Sequence, residues 1–544
     1  MKKLIFLGAA MLLLMATGCS HDENNNEPNG AQKQTVQFSF TNEDFGADEA
    51  LTRATSAAEK PQTIDLGDCE AEISVESEPA VKTRGPLTNA NGHYTIRAYQ
   101  GGTLKGEMKG TFSGGTFTAD ASSPKSMNLP DGTYDFIAFN DDVVPSGTGL
   151  TVARDKAETA RMGITTVTIT ATPATQMVNF TMKHVGARVR VQLLCQKHFP
   201  EDITATLEAA GSLDVPTVMS YNPTTQTSTF TNGAVAPNLL RFQNSNGPSF
   251  SFSDFGRNYV YHAVCWVNPY SYYLPSTDAS KLKLTFTGGT VFWEPLTGGI
   301  IPQLSTVLPA MQSNKSYLVT IKLKPSYTYL MSDGTTGKFK DTSFGGGSKT
   351  PVAVVADPTA RVAIALKNAG NDTQYEWFSS YPYSNNTTVY SSVITGCTDM
   401  EGYKWTWEAS GTTDGTIKAN QQTLYPAFYA AGHYDPGVPV SGTLAGKKWY
   451  LAGGGEWMTY VCKNLAFSMN NDYSAYYGAM MNESFTKVGG TKLSEASYVM
   501  STQLEPTPPS IYAWVWDISF SYNMAGAMGS GTSVMSLVRP FIKY

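Results

Sequence analysis

Short runs in which every second residue is apolar recur through the first 325 positions, and no helix-length periodic segment separates them. In the clearest run, Val178, Phe180, Met182 and His184 fall on one face. After Gly186, Val189, Val191 and Leu193 continue the pattern against Arg188, Arg190 and Gln192. A period of two puts alternate side chains on opposite faces of a strand. The same pattern marks Val36, Phe38 and Phe40 within 35–40, then Tyr94, Ile96 and Ala98, then 133–139 after the hairpin-type pair Asp131-Gly132, then 167–172. Leu282-Leu284-Phe286 and Val319-Ile321-Leu323 repeat it later. Strands that follow one another without long helices predict antiparallel sandwiches, here two, over 35–177 and 178–325. His184, on an apolar face, reads as a satisfied core histidine.

Composition agrees. Charged residues make up 15%, against about a quarter in ordinary globular chains. Tyr, Thr, Ser, Asn and Gly take their place, which suits extracellular β-structure. The net charge of -6, without a basic block, argues against a nucleic-acid partner. Besides Cys19, the cysteines are Cys69, Cys195, Cys265, Cys397 and Cys462. Their wide spacing is not a disulfide framework. Cys195 and Cys265 read as small buried hydrophobes, and a Cys397–Cys462 disulfide is left open.

The character changes after Pro325. Asp333-Gly334 and Phe344-Gly345-Gly346-Gly347-Ser348 make 326–349 a glycine-rich junction. Trp377, Trp405, Trp407, Trp449, Trp457, Trp514 and Trp516 follow, seven of the nine tryptophans. Two amphipathic helices are expected, one near 421–431 and one from Gly455, with Trp457, Val461 and Leu465 at i, i+4 and i+8. The fold class is therefore mainly β in front and mixed α+β over 350–544.

At the amino terminus, Lys2 and Lys3 precede an apolar run from Leu4 to Met15 and then Ala16-Thr17-Gly18-Cys19. A charged head, an apolar stretch too short to span and small residues describe an export signal, 1–18. Cys19 after those small residues resembles the lipobox of bacterial lipoproteins, with Ala16 where Leu is usual. The resemblance implies cleavage before Cys19 and acylation (palmitate-type) of Cys19. Ser20-His21-Asp22-Glu23 resembles an acidic tag for the outer face of the outer membrane. Residues 19–34 are polar and aperiodic and read as a flexible tether.

Gly132-Thr133-Tyr134-Asp135-Phe136-Ile137-Ala138-Phe139-Asn140 and the run from Val178 to Leu193, with the lipoprotein signal and the Thr-Arg dipeptides, resemble the fimbrillin family of pilus proteins over residues 1–325. That resemblance implies two transthyretin-like β-sandwich domains. It also implies cleavage after an arginine, which removes the first strand and opens a groove for a donor strand from another fimbrillin subunit. Arg53 and Arg84 match; Leu51-Thr52-Arg53-Ala54, in an open small-residue loop, favours Arg53.

The back resembles a C-type-lectin-like domain of the bacterial surface type over 350–544. The resemblance rests on 425–431 (Tyr-Pro-Ala-Phe-Tyr-Ala-Ala), Lys447-Lys448-Trp449-Tyr450-Leu451, Gly455-Glu456-Trp457 and Val538-Arg539-Pro540-Phe541. The family's LPS-x-GEW is here Leu451-Ala452-Gly453-Gly454-Gly455-Glu456-Trp457. In this family the segment before the final strand displays the ligand-binding face, which here is 511–535: Tyr512, Trp514, Trp516, Asp517, Ser519, Ser521, Tyr522 and Asn523. Rigid aromatics with Ser and Asn suit a paratope. Alternation equally sends about half of them inward.

Catalytic chemistry is not expected. There is no H-E-x-x-H and no G-x-S-x-G; Cys195 and His198 lack a second metal-ligand pair. Gly442-Thr-Leu-Ala-Gly446-Lys447-Lys448 misses phosphate-loop spacing. Glu505-Pro506-Thr507 and Trp516-Asp517 each fall one residue short of calcium-lectin patterns. No cofactor or metal is anticipated. The expected function is a fimbrial tip adhesin, a lipid-anchored surface lipoprotein whose lectin-like head binds a host, microbial or glycan ligand. A non-fimbrial surface glycan- or peptide-binding lipoprotein is the alternative. An enzyme of the formylglycine-generating type, which shares the lectin-like fold, lacks a close cysteine pair here.

Overall fold

The computed structural model describes residues 34–46, 48–50, 62–67, 69–74, 88–195, 199–244, 250–253, 262–265, 269–292, 294–305, 310–379, 384–465, 478–493, 497–507, 510–519, 524–531 and 535–544. Strand accounts for 46% and helix for 14%, so the mainly β fold class holds. Two compact units result: one of residues 1–42, 89–141 and 163–182, the other of 43–88, 142–162 and 183–544.

The smaller unit is one sheet in the order Thr88–Asn89, Gln34–Glu43, Thr175–His184, Arg161–Ile169, Gly132–Asn140, Gly92–Gln100, Thr103–Ser113 and Thr116–Ala119, with Met127–Leu129 also on Gln34–Glu43. The first strand is packed at its centre. Val36, Phe38 and Phe40 are buried. Phe40 stacks on Tyr94 with ring centroids 4.7 Å apart, and Phe38 meets Phe136 and Phe180 at 6.5 and 6.2 Å. Thr175–His184 shows the expected alternation, with 178, 180, 182 and 184 inward.

The turn expected at Asp131-Gly132 is not a two-residue hairpin. Met127–Leu129 pairs with residues 34–36, while Gly132–Asn140 pairs with Gly92–Gln100. Gly132 instead starts its strand at φ +148°, a conformation open to glycine. Local turn chemistry marked the bend but not which strands it joins.

The larger unit contains a sandwich. One sheet runs Phe250–Ser253, His262–Cys265, Ala187–Cys195, Ser316–Pro325, Cys69–Ser74, Gln62–Asp65; its partner runs Asn238–Phe242, Ile203–Ala209, Leu282–Gly288, Ile300–Ile301. Val189, Val191, Leu193, Leu284, Val319, Ile321 and Leu323 form its core. The expectation of purely antiparallel pairing fails at the centre: Ala187–Cys195 and Ser316–Pro325 are parallel. Parallel neighbours need a long crossover. Here the facing sheet supplies it in place of a helix. Residues 43–88 and 142–162, read from sequence as parts of the first sandwich, cluster with this unit. Cys69–Ser74 pairs antiparallel with Ser316–Pro325, and Gly149–Ala153 with Val215–Asn222.

The carboxy-terminal part is built on a six-stranded sheet ordered Thr336–Lys338, Thr328–Met331, Pro351–Asp357, Val362–Ala365, Phe541–Lys543, Trp449–Tyr450. The glycine-rich stretch is thus partly sheet rather than spacer, with Tyr329, Leu330 and Met331 fully buried. The first expected helix is shorter, Pro426–Gly432, since Pro426 fits only a first turn. The second is present but wound as a π-helix over Trp457–Leu465; Trp457, Val461 and Leu465 still share one core.

Cys397 and Cys462 are not joined by a disulfide, and burial pushes the Cys462 thiol up to about 12. Cys195 is buried as expected. His184 is indeed a satisfied core histidine. Its Nδ1 meets the Glu158 carbonyl at 2.7 Å, its Nε2 meets Asp44 Oδ1 at 2.9 Å, and its ring stacks 3.8 Å from Phe45.

Candidate functional site

Of the residues singled out by sequence, Cys19, Arg53, Arg84, Ser521, Tyr522, Asn523 and His198 lie outside the described residues. Tyr512, Trp514, Trp516, Asp517 and Ser519 occupy the strand Ser510–Ser519, the middle of a three-stranded sheet between Ser497–Thr507 and Met524–Gly531. Position 512 stands opposite Leu504 and Gly531, 514 opposite Gly529, 516 opposite Tyr498 and Ala527, and 517 opposite Ser497 and Gly526. By register, the large residues of this strand stand opposite positions occupied by Gly, Ala, Ser and Met on Met524–Gly531.

This sheet is held from below. Ser497–Thr507 breaks register between Val499 and Gln503, and the three residues in the break, Met500, Ser501 and Thr502, are buried. Thr502 Oγ1 donates to Asp399 Oδ2 at 2.6 Å. Trp405 Nε1 reaches both Asp399 carboxylate oxygens at 3.0 Å, and the Glu401 amide donates to Oδ1 at 3.0 Å. A carboxylate as buried as Asp399, 1% exposed, persists only when donors satisfy it. These donors tie 399–405 to the sheet.

The Leu451-to-Trp457 motif explains itself in the same place. A Cβ at Gly453 would come 2.6 Å from the Asp399 carbonyl oxygen, one at Gly454 2.6 Å from that of Gly396, and one at Gly455 2.7 Å from Thr398 carbonyl carbon. The glycines let the 396–399 backbone lie directly on the loop. Glu456 then closes it: the Gly453 amide donates to Oε2 at 2.9 Å and the Tyr450 hydroxyl to Oε1 at 2.8 Å. Burial, opposed only in part by these bonds, pushes the Glu456 carboxyl up to about 8, so it is largely neutral at pH 7.

Arg539, in the last motif, is 1% exposed and donates to the carbonyls of Ala365 and Thr491, each at 3.0 Å. Sequence reasoning missed Asp399, Asn386 and Lys418, polar residues that carry no motif. Among the described residues no group of three His, Cys, Asp or Glu is placed to hold a metal.

No protein-family model and no curated protein sequence matches this chain. Among solved structures it is similar to a fimbrial assembly protein from Parabacteroides distasonis, at 11% identity and TM-score 0.26, over 57% of this chain and 100% of that one. It is similar also to a fimbrial protein from Bacteroides vulgatus, at 13% identity and TM-score 0.26, over 45% and 92%. A candidate cell adhesion protein from Bacteroides uniformis matches at 14% identity and TM-score 0.28, over 54% and 97%.

Proposed function

We propose that this chain is a lipid-anchored outer-membrane surface protein acting as a fimbrial tip adhesin. In this reading Cys19 carries the lipid and two transthyretin-like fimbrillin sandwiches engage other pilus subunits by donor-strand exchange. A C-type-lectin-like head over 350–544 then binds a ligand through 511–535. The protein is not an enzyme.

The single observation that carries the reading is the position of Gln34–Glu43. It is the first strand among the described residues, yet it lies within its sheet, and Val36, Phe38 and Phe40 fill the core beside Tyr94, Phe112, Phe136 and Phe180. Everything before Arg53 is continuous with it. A cut there frees this strand together with the short Asp48–Ala50 and leaves, where Gln34–Glu43 lay, a slot lined by aromatic rings, the shape an incoming strand with alternating apolar residues would fill. Ser316–Pro325, flanked on both sides and running on into the next sheet, is not available as a donor, which favours the tip over the stalk. The lectin-like reading is supported by Phe541–Lys543, which returns between Val362–Ala365 and Trp449–Tyr450. It thereby closes a long excursion that carries the three-stranded sheet.

The test is fractionation. Sheared fibres should contain the protein, and Cys19→Ala should move the unprocessed form from the detergent phase to the soluble phase. A protein that never cofractionates with fibres but still needs Cys19 for membrane association is a non-fimbrial receptor.

A further inference from the structure

Lys418 is completely buried. The rings of Trp377, Phe428 and Tyr425 surround its Nζ with centroids at 4.5, 5.1 and 5.5 Å. Among the described residues its hydrogen-bond acceptor is a neutral one, the Asn386 carboxamide oxygen. An ammonium in such surroundings is expensive. Burial accordingly brings its pKa down to about 7, with only the charge of Asp414 opposing, and a free amine is present at neutral pH. Desolvation of this kind is what turns a lysine into a nucleophile.

The amide it touches is held still and dry. Asn386 is 1% exposed. Its Nδ2 donates to the Ser501 carbonyl at 2.9 Å and its backbone amide to Gln503 Oε1 at 2.7 Å. Gln503 is held in turn by Asn385 Oδ1 at 2.6 Å. Holding an amine against one amide face in the absence of water gives the pair a high effective concentration.

The geometry points to an intramolecular isopeptide bond between Lys418 Nζ and Asn386 Cγ. Nζ adds to Cγ, which is one bond from the oxygen it already contacts. The tetrahedral carbon then expels Nδ2. The Nζ–Cγ bond forms, the Cγ–Nδ2 bond breaks, one Nζ proton passes to Nδ2, and ammonia leaves; no oxidant or reductant is needed. Ser501, whose carbonyl holds the departing nitrogen, also carries a buried hydroxyl without a partner among the described residues, a group able to pass that proton. The product removes the buried charge and closes a loop across 32 positions, tying the wall beneath Ser497–Thr507 covalently to the Lys418–Asn420 turn.

The experiment is peptide-level mass spectrometry of the purified full chain, its folded state checked by near-UV circular dichroism. The expected result is a branched peptide joining the segments around Asn386 and Lys418, lighter than their sum by one ammonia. It should survive reduction and boiling in detergent and be absent from Lys418→Met. Recovery of separate, unmodified Asn386 and Lys418 peptides from folded wild-type protein overturns the proposal, whether or not the Lys418→Met variant folds.

Discussion

Lys487 Nζ lies 2.8 Å from Glu70 Oε2 across 417 positions of sequence. The two side chains are 22% and 13% exposed. The ammonium also covers the Phe339 ring at 4.4 Å. A strand close to the amino terminus is thereby fastened to the carboxy-terminal fold. Nearby, the Tyr327 hydroxyl donates to the Met480 carbonyl at 2.8 Å, and Met480 itself packs in the core of the sandwich. The sandwich and the carboxy-terminal sheet of this unit share a packed seam.

Lys487→Met is therefore expected to destabilise the larger unit by roughly 1.5–3 kcal/mol, the range for a charge-assisted hydrogen bond, read as a lower melting temperature. Glu70→Gln should cost less in the Lys487→Met background than in the wild type, since its partner is already gone. Strict additivity of the two substitutions would mean the pair contributes nothing.

The same seam bears on processing. A cut after Arg53 releases Gln34–Glu43 and the short Asp48–Ala50, whereas a cut after Arg84 also releases Gln62–Asp65 and Cys69–Ser74. The second cut strips one edge of Ser316–Pro325 over residues 320–325 and removes the Glu70 anchor. Amino-terminal sequencing of surface protein should find Ala54, and Arg53→Ala should abolish maturation while Arg84→Ala leaves it intact. A mature end at Gly85 would mean the larger unit tolerates loss of Asp48–Ala50, Gln62–Asp65 and Cys69–Ser74.

Much of this was legible in the sequence because it is local. Alternation in 175–184 or 187–195 needs only neighbours to be read, and the strands are where the pattern puts them. Partners are a different matter. Nothing near Cys69–Ser74 announces Ser316–Pro325, and Asp131-Gly132 bends the chain without choosing what it pairs with. Lys418 and Asp399 look like ordinary surface residues until the fold surrounds them with Trp377 and Trp405. Long-range burial, not residue type, gives them their chemistry.

Acidity should reveal Glu456. Its carboxyl is raised from 4.5 to about 8 on folding, so between those values the folded state binds the extra proton. Stability from this group is complete below pH 4.5 and is lost as pH rises through 8, on the order of a few kcal/mol. Glu456→Gln should flatten that fall. It should also cost about 1–2 kcal/mol at pH 5, because an NH2 replaces one acceptor for Tyr450 or Gly453. Urea denaturation at pH 5 and pH 8.5 checks both; an unchanged slope in the variant would assign the pH dependence elsewhere.

The binding face can be separated from its support by register. Position 516 stands opposite Tyr498, fully buried against Trp457, and position 512 opposite buried Leu504. Position 517 stands opposite Ser497, which is only half-buried. Truncating an aromatic that seats a sheet costs about 3–5 kcal/mol of folding stability. Losing a hot spot costs about 2 kcal/mol or more of binding and leaves folding alone. Trp516→Ala is thus expected to melt early. Asp517→Ala and Tyr522→Ala should keep the wild-type melting temperature and lose signal on a glycan array probed with the full chain. If both of these variants bind as wild type does while Trp516→Ala melts normally, 511–535 is neither the ligand face nor its support, and the site must be sought on another surface of the head.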